Sequence, residues 1–342
     1  MAKKLQKKTQ KFEQATPEQI AAFTESIESD WQGTFVAGSV IQEHDANRRP
    51  ISTGSTKLDW ALTRPFVEGT INEVHGPNGV GKTTFALEVA ANATLMGKMV
   101  FFFDIERKLV DSQVKMVPRL NRELFLRVRP DTGEDAVNRV HRCVNEVPGC
   151  VIIFDSITQM LPEVEDAAEA GDMQRAAVAK LTAKMIRKIL GPVERNRCMV
   201  LFISHETVNM DMYSGKVITK GGNAVPDASA QRVRLKALSA GKIKSASGDI
   251  IGQNVKCHVV KNNQGLPFKE VEVPLIFGRG IDRTLDLLQV AVDLAVIEKA
   301  GGWFTIEWKG KTEKMYEAAL IEKLKTDPEY REYVVCQVNE VL

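Results

Sequence analysis

The sequence predicts an α/β fold: a mainly parallel twisted sheet, preceded by a helix–strand arm and followed by a small α+β segment. Three observations carry this. From about residue 51, apolar β-rich runs alternate with helical periods, the pattern of βαβ units. Several of these runs are nearly continuous in apolar residues, as strands covered on both faces are. The motif G-x-x-x-x-G-K-T at residues 76–83 falls between one such run and a helical segment.

The elements follow in order. Thr16-Pro17-Glu18-Gln19 reads as a helix start, with a Thr cap, Pro at the first helical position and Gln three residues after the cap. That helix carries Ile20, Phe23 and Ile27 on one face, and a strand-like run covers 34–41. Residues 42–50 are polar and read as a linker. Core strands are expected at 70–76, 99–106, 124–130, 151–157 and 199–206, with helices at 83–97, 132–146 and 173–190. The runs 255–262 and 269–277, joined by Gly-Leu-Pro, predict a hairpin. A helix at 284–299, a Gly-Gly break, a strand at 303–308 and further helices complete the chain. The expected divisions are an N-terminal arm (1–45), a core (46–282) and a small C-terminal domain (283–342).

Composition narrows the function classes. The 342 residues hold 46 Lys/Arg against 44 Asp/Glu, a net charge of +2, so no bulk basic character points to nucleic acid. Two local basic stretches do exist. Residues 1–12 carry five lysines and no acid, and 211–244 carry seven Lys/Arg against two Asp. Either could serve a polyanion or be solvated surface. Apolar runs such as 99–103 and 151–154 fall far short of the roughly 20 residues that span a bilayer. The lysine-rich N-terminus has no apolar stretch of a secretory signal, so a cytoplasmic protein is expected. Five cysteines (143, 150, 198, 257, 336) without a C-x-x-C pair read as small, mostly buried side chains in a reducing compartment.

The loop Gly76-Pro77-Asn78-Gly79-Val80-Gly81-Lys82-Thr83, continued by Thr84, suits a nucleotide phosphate chain. Glycines let backbone amides converge on phosphate oxygens, and the helix N-terminus adds partial positive charge. Lys82 is placed to reach the β/γ phosphates and Thr83 to offer a hydroxyl to Mg²⁺. Phe85, Val89, Ala93 and Met96 mark an amphipathic helix behind the loop. Asp155 ends a buried run beside the loop, where a carboxylate would support the metal; the alternative is a cap for the next helix. Asp104 and Glu106 share a strand face, and Glu106, later along the strand, is the stronger candidate for activating water. Its alternative is a surface carboxylate paired with Arg107. His205 follows the strand 199–204 at the same sheet edge and is either a γ-phosphate sensor or a structural histidine.

ISTGSTKLDWAL (51–62), the phosphate loop, FFDIE, PDTGEDAV, VIIFDS, TKGGNA, VVKNNQGLPF and IEKAGGWF, in this order and spacing, resemble the RecA family of strand-exchange recombinases over about residues 50–342. The ending ISHET resembles instead the recombinases of large tailed phages. The resemblance implies a RecA-type P-loop ATPase core that polymerises as a helical filament on single-stranded DNA. It implies ATP bound between subunits with Mg²⁺, pairing with duplex DNA, strand exchange, and DNA-dependent hydrolysis. Lys82, Thr83, Glu106 and Asp155 take the family's positions for phosphate, metal and base. Lys261 takes that of a residue reaching the neighbouring subunit's γ-phosphate, its alternative being a strand-end surface lysine. A ring helicase or other DNA-translocating ATPase on the same fold is the competing expectation.

Two stretches resemble the family's DNA-contacting loops. The first, 163–175, offers only Arg175 to phosphate and is otherwise acidic. The second, 206–224, combines Lys216 and Lys220 with Met210, Met212 and Tyr213, and Gly221 and Gly222 would let it reorder. The helix and strand before residue 45 resemble the polymerisation arm, the alternative being an intramolecular cap. There are departures. Gln113 replaces the adenine-stacking tyrosine, His205 a glutamine, and Asn263 a second interface lysine.

Overall fold

The computed structural model describes residues 46–160, 173–208, 217–219, 222–245 and 247–341, together with Thr16, Glu18, Gln19, Ala22 and Ser26. The chain divides into two compact units, 1–48 and 49–342. In the first, the expected capping box is formed: Gln19 N donates to Thr16 Oγ1 (3.3 Å) and Thr16 N to Gln19 Oε1 (2.9 Å). The apolar face of that helix and the run 34–41 lie outside the described residues.

The second unit is built on one large sheet. Its elements are α1 (Thr56–Leu62), β1 (Ile71–Gly76), α2 (Lys82–Leu95), β2 (Val100–Asp104), α3 (Asp111–Lys115), β3 (Phe125–Val128), α4 (Gly133–Glu146), β4 (Val151–Asp155), α5 (Met173–Arg195), β5 (Met199–Val208), β6 (Val217–Thr219), α6 (Ala224–Ala228), β7 (Gln231–Lys244), β8 (Ile250–Asn262), β9 (Glu270–Ile276) and β10 (Gly280–Ile281). The strand order is β10-β9-β8-β7-β1-β5-β4-β2-β3, with β6 pairing β5 on the side. Pairing is parallel from β7 through β3 and antiparallel from β7 to β10.

The continuous apolar runs now have their reason. Successive side chains of a strand point to opposite faces. Val100, Phe102, Val151, Ile153, Leu201 and Ile203 join a core with α1 and α2. Phe103, Ile152, Phe154, Val200 and Phe202 join a second core with α4 and α5. With helices on both faces, no position of these strands is left for a polar residue until their C-terminal ends. Each such side chain contributes on the order of 1.5–3 kcal/mol by leaving water.

Four expectations are corrected. Helix α2 is not amphipathic: Phe85, Ala86, Leu87, Val89, Ala90, Ala91 and Ala93 are all buried, because β10 as well as the sheet packs on it. Residues 231–244 of the basic stretch 211–244 form the strand β7, which was not among the expected strands, with Lys236, Lys242 and Lys244 exposed on it. Arg232 and Arg234 disguise it, yet both are paired inward, Arg232 to the fully buried Glu73 (2.5 Å) and Arg234 to Glu206. The helix expected at 284–299 is α7 (Arg283–Asp293), and β11 (Glu298–Ala300) follows it. After β12 (Trp303–Trp308) comes a third strand, β13 (Lys311–Tyr316), before α8 (Glu317–Thr326) and α9 (Pro328–Val341). Strand β13 escapes the sequence pattern because most of its side chains face solvent and few are apolar.

The C-terminal elements enclose a core of their own around Leu288, Phe304, Leu320, Tyr330 and Val334. Asp286 of α7 joins this part to α1. Its buried carboxylate accepts from Ser55 Oγ (2.7 Å) and Thr56 N (2.6 Å), satisfying donors at the helix start. All five cysteines are free, and Cys150, Cys198 and Cys257 are buried as expected, whereas Cys336 is exposed.

Candidate functional site

Strand β1 ends at Gly76 and α2 starts at Lys82, so the motif is the turn between a buried strand and a buried helix. Two glycines are dictated by geometry. A side chain at Gly76 would put its first carbon 2.4 Å from the Leu235 carbonyl oxygen of β7. Gly81 has φ +103°, in the left-handed region. Pro77, Asn78 and Gly79 are exposed at the tip, while Val80 is buried and anchors the loop to the core. Lys82 is only 5% exposed, and its ammonium donates to the carbonyls of Gly76 (2.9 Å) and Pro77 (2.8 Å). Burial holds its pKa below the usual lysine value. Thr84, next along the helix, is half-buried.

Register brings the other candidates to the same edge. Gly76 lies opposite His205, and Asp104 opposite Asp155. The sheet order β1-β5-β4-β2 therefore sets the phosphate loop, His205, Asp155 and the end of β2 side by side at the carboxyl ends of parallel strands, where such sheets bind ligands. Thr83 Oγ1 donates to Asp155 Oδ2 at 2.7 Å. Burial pushes the Asp155 carboxyl up to about 6, against the lowering effect of the Thr83 bond.

Asp104 and Glu106 do not share the cleft. Strand β2 stops at Asp104, and the turn beyond it breaks the two-residue alternation. Asp104 is turned away: it pairs with Arg129 (2.9 Å) and accepts from the backbone of Lys108 (2.9 Å) and Leu109 (3.3 Å). Glu106 faces the cleft. Its Oε1 accepts from Ser156 Oγ (2.8 Å) and contacts His205 Nε2, and its Oε2 pairs with Lys108 Nζ (2.8 Å). The bond from His205 lowers the Glu106 carboxyl to about 2, burial opposes this, and Lys108 and Ser156 add to the lowering. The alternative partner Arg107 pairs instead with Asp131 (3.1 Å).

His205 was expected after a strand, but β5 runs through it to Val208. Glu206, Thr207 and Val208 pair antiparallel with Thr219, Ile218 and Val217 of β6. The stretch 206–224, expected as a loop, thus contains a short β-ladder. Of the DNA candidates, Met210, Met212, Tyr213, Lys216, Lys220 and Gly221 lie outside the described residues. Gly222 is exposed beyond β6, and Arg175 falls in the first turn of α5, its side chain outside the described set. Lys261 is not brought to the phosphate loop of its own chain. It pairs in register with Arg232, which lies opposite Glu73, three residues before Gly76, and its ammonium donates to the Asp227 carbonyl (2.9 Å). Asn263 is exposed, and Gln113 caps its own helix by accepting from Val110 N (3.1 Å).

Sequence reasoning missed one cluster. Glu206 Oε1 accepts from Arg234 Nε (2.7 Å) and contacts His75 Nδ1 (2.9 Å), while Oε2 accepts from Arg234 Nη2 (2.9 Å). This ties β5, β7 and β1 together at the base of the phosphate loop. Its signal in the sequence was thin: His75 and Glu206 each adjoin a singled-out residue, but Arg234 sits on the unrecognised strand. Burial alone would raise the Glu206 carboxyl, but the bonds from His75 and Arg234 outweigh it and hold it at about 2. A carboxylate depressed in the folded state stabilises the fold above its unfolded pKa, and this is lost as pH falls through the folded value. Between pH 4.5 and 2 the wild type should therefore lose on the order of 2 kcal/mol through Glu206, since one pH unit of displacement is about 1.4 kcal/mol. Denaturant midpoints of wild type and Glu206→Gln across this window test it: the variant should be less stable at pH 7 and show a shallower acid limb.

Comparison with known proteins decides the family. A family model for the RecA N-terminal domain matches residues 20–282. The chain is 34% identical over 257 residues to Protein RecA of Geobacter sulfurreducens, covering 75% of both chains. It is 35% identical over 271 residues to Protein RecA of Cereibacter sphaeroides, covering 79% of this chain and 77% of that one. The chain belongs to the RecA family. Another relative, Protein RecA of Rippkaea orientalis, is 30% identical over 312 residues, 90% of this chain and 88% of its own. The protein is thus a RecA-type, ATP-dependent DNA recombinase and a DNA-dependent ATPase. Among the described residues, no helix is long and apolar enough to cross a membrane.

Proposed function

We propose that this RecA-family protein hydrolyses ATP with Glu106 as general base, and that His205 couples the state of the nucleotide to DNA. The observation that carries the reading is the convergence of Lys82, Thr83, Asp155, Glu106 and His205 from four neighbouring strands on one sheet edge. Lys82 and the backbone amides of residues 78–84 cradle the phosphates. The hydroxyl of Thr83 and the carboxylate of Asp155 would hold Mg²⁺. Hard oxygen donors suit that ion, which keeps phosphate and water ligands besides one or two protein groups. Bound there, it neutralises developing phosphate charge. Glu106 accepts the proton of the attacking water.

The filament reading assigns 1–45 as the polymerisation arm, 46–282 as the ATPase core and 283–342 as the C-terminal domain. ATP then lies between subunits, with Lys261 reaching the neighbour's γ-phosphate. The position of Lys261, away from its own phosphate loop, favours a role across an interface over one in its own site. Arg175 and residues 210–222 contact single-stranded DNA, lysines on phosphates and Met210, Met212 and Tyr213 on bases. Duplex DNA is the second partner. Free cysteines, three of them buried, suit the cytoplasm of a bacterial cell or phage host.

His205 touches Glu106 within β5, and the segment 206–224 that resembles a DNA-contacting loop begins at the next residue. Coupling of this kind is typically worth 1–3 kcal/mol, or about 5–150-fold in affinity. His205→Ala should bind ATP and DNA but lose most of the gain in DNA affinity that an ATP analogue gives over ADP. If the ratio of the two DNA affinities equals that of wild type, His205 is structural and Lys261 becomes the next residue to test.

A further inference from the structure

A DNA-dependent ATPase needs a restraint on its chemistry when DNA is absent. We infer that Lys108 is a positioning residue that masks Glu106 in the DNA-free protein, an inference that rests on Glu106 being the base. The turn after β2 aims this lysine. Asp104, itself held by Arg129, accepts from Lys108 N and Leu109 N, and Arg107, with φ +55°, sends its guanidinium the other way to Asp131. The Lys108 ammonium is thereby set on Glu106 Oε2 at 2.8 Å, inside the cleft that Asn78 and His205 also line.

The consequence follows from lone-pair arithmetic. A carboxylate offers about four acceptor sites. Ser156 and His205 occupy Oε1, and Lys108 takes one of the two sites of Oε2, which leaves a single site, beside an ammonium, for the proton of water. Lys82 cannot play this part, because it is buried and bonded to loop carbonyls. Lys108 is 76% exposed, so its grip is that of an exposed ion pair, modest and easily given up. That is what a restraint relieved by DNA requires.

The test is steady-state ATP hydrolysis by the full chain, with and without single-stranded DNA, for Lys108→Met and Lys108→Arg. Lys108→Met, which keeps the chain length and removes the charge, should raise DNA-free kcat by about two- to fivefold, the scale of such a pair. KM for ATP should not move, the ratio of DNA-stimulated to DNA-free turnover should fall by the same factor, and Lys108→Arg should restore the low rate. A DNA-free kcat at or below wild type, or a rise that Lys108→Arg does not reverse, overturns the mask. Glu106→Gln separates the two readings. If it is inactive while Lys108→Met is unchanged, the mask alone fails; if it turns over ATP normally, the base assignment fails and the mask with it.

Discussion

Lys82→Ala should lose ATP binding altogether. The ammonium is held within the turn by two carbonyls, so in the free protein it is already where a phosphate chain will sit and needs little reordering. A unit charge about 4 Å from a phosphate oxygen at an effective dielectric of about 20 contributes on the order of 4 kcal/mol, nearly three orders of magnitude in affinity. Asp155, Glu106 and Glu206 would then face the phosphates with their negative charge less compensated. Titration with a fluorescent ATP analogue measures this. Binding within tenfold of wild type would show that the phosphates do not rest on Lys82.

Glu106→Gln should keep ATP and DNA binding and lose hydrolysis by about 10²–10⁴-fold, the scale of a general base. Glutamine can still accept from Ser156 and His205 through its carbonyl, so the surroundings are preserved. What disappears is the ability to take a proton. Nucleotide then stays intact, and complexes with single-stranded DNA formed in ATP should persist where those of wild type dissociate. Single-turnover hydrolysis and electron microscopy of the same samples read the two effects separately. Turnover at the wild-type rate would place the base elsewhere.

The fold was legible where periodicity and burial coincide. The runs ending at Asp104 and Asp155 could be read because both faces of those strands are covered, which leaves no polar residue inside them. A first polar residue after such a run therefore marks a strand's carboxyl end, which is also where ligands bind. The hairpin β8–β9 and the capping box at Thr16 were legible for local reasons, a turn between alternating strands and a reciprocal bond over three residues. Strands β7 and β13 were not. Arg232 and Arg234 look like surface until Glu73 and Glu206, far away in the chain, are placed against them.

What the sequence by itself determined is the phosphate loop, the strands β1 to β5 with their helices, and the set of polar residues near the ends of those strands. It preferred Glu106 to Asp104 only for its later place along the strand, because strand alternation puts both on one face; the turn after β2 is what sends one to Arg129 and the other to the cleft. It could not show the His75–Glu206–Arg234 cluster or the hold of Lys108 on Glu106, which depend on distances between side chains rather than on spacing along the chain. The physical reason is the same throughout. Burial of apolar surface leaves a repeat in the sequence because it follows the period of the strand or helix. A hydrogen bond or ion pair between distant residues leaves no repeat, and its geometry exists only once the sheet order has brought the partners together.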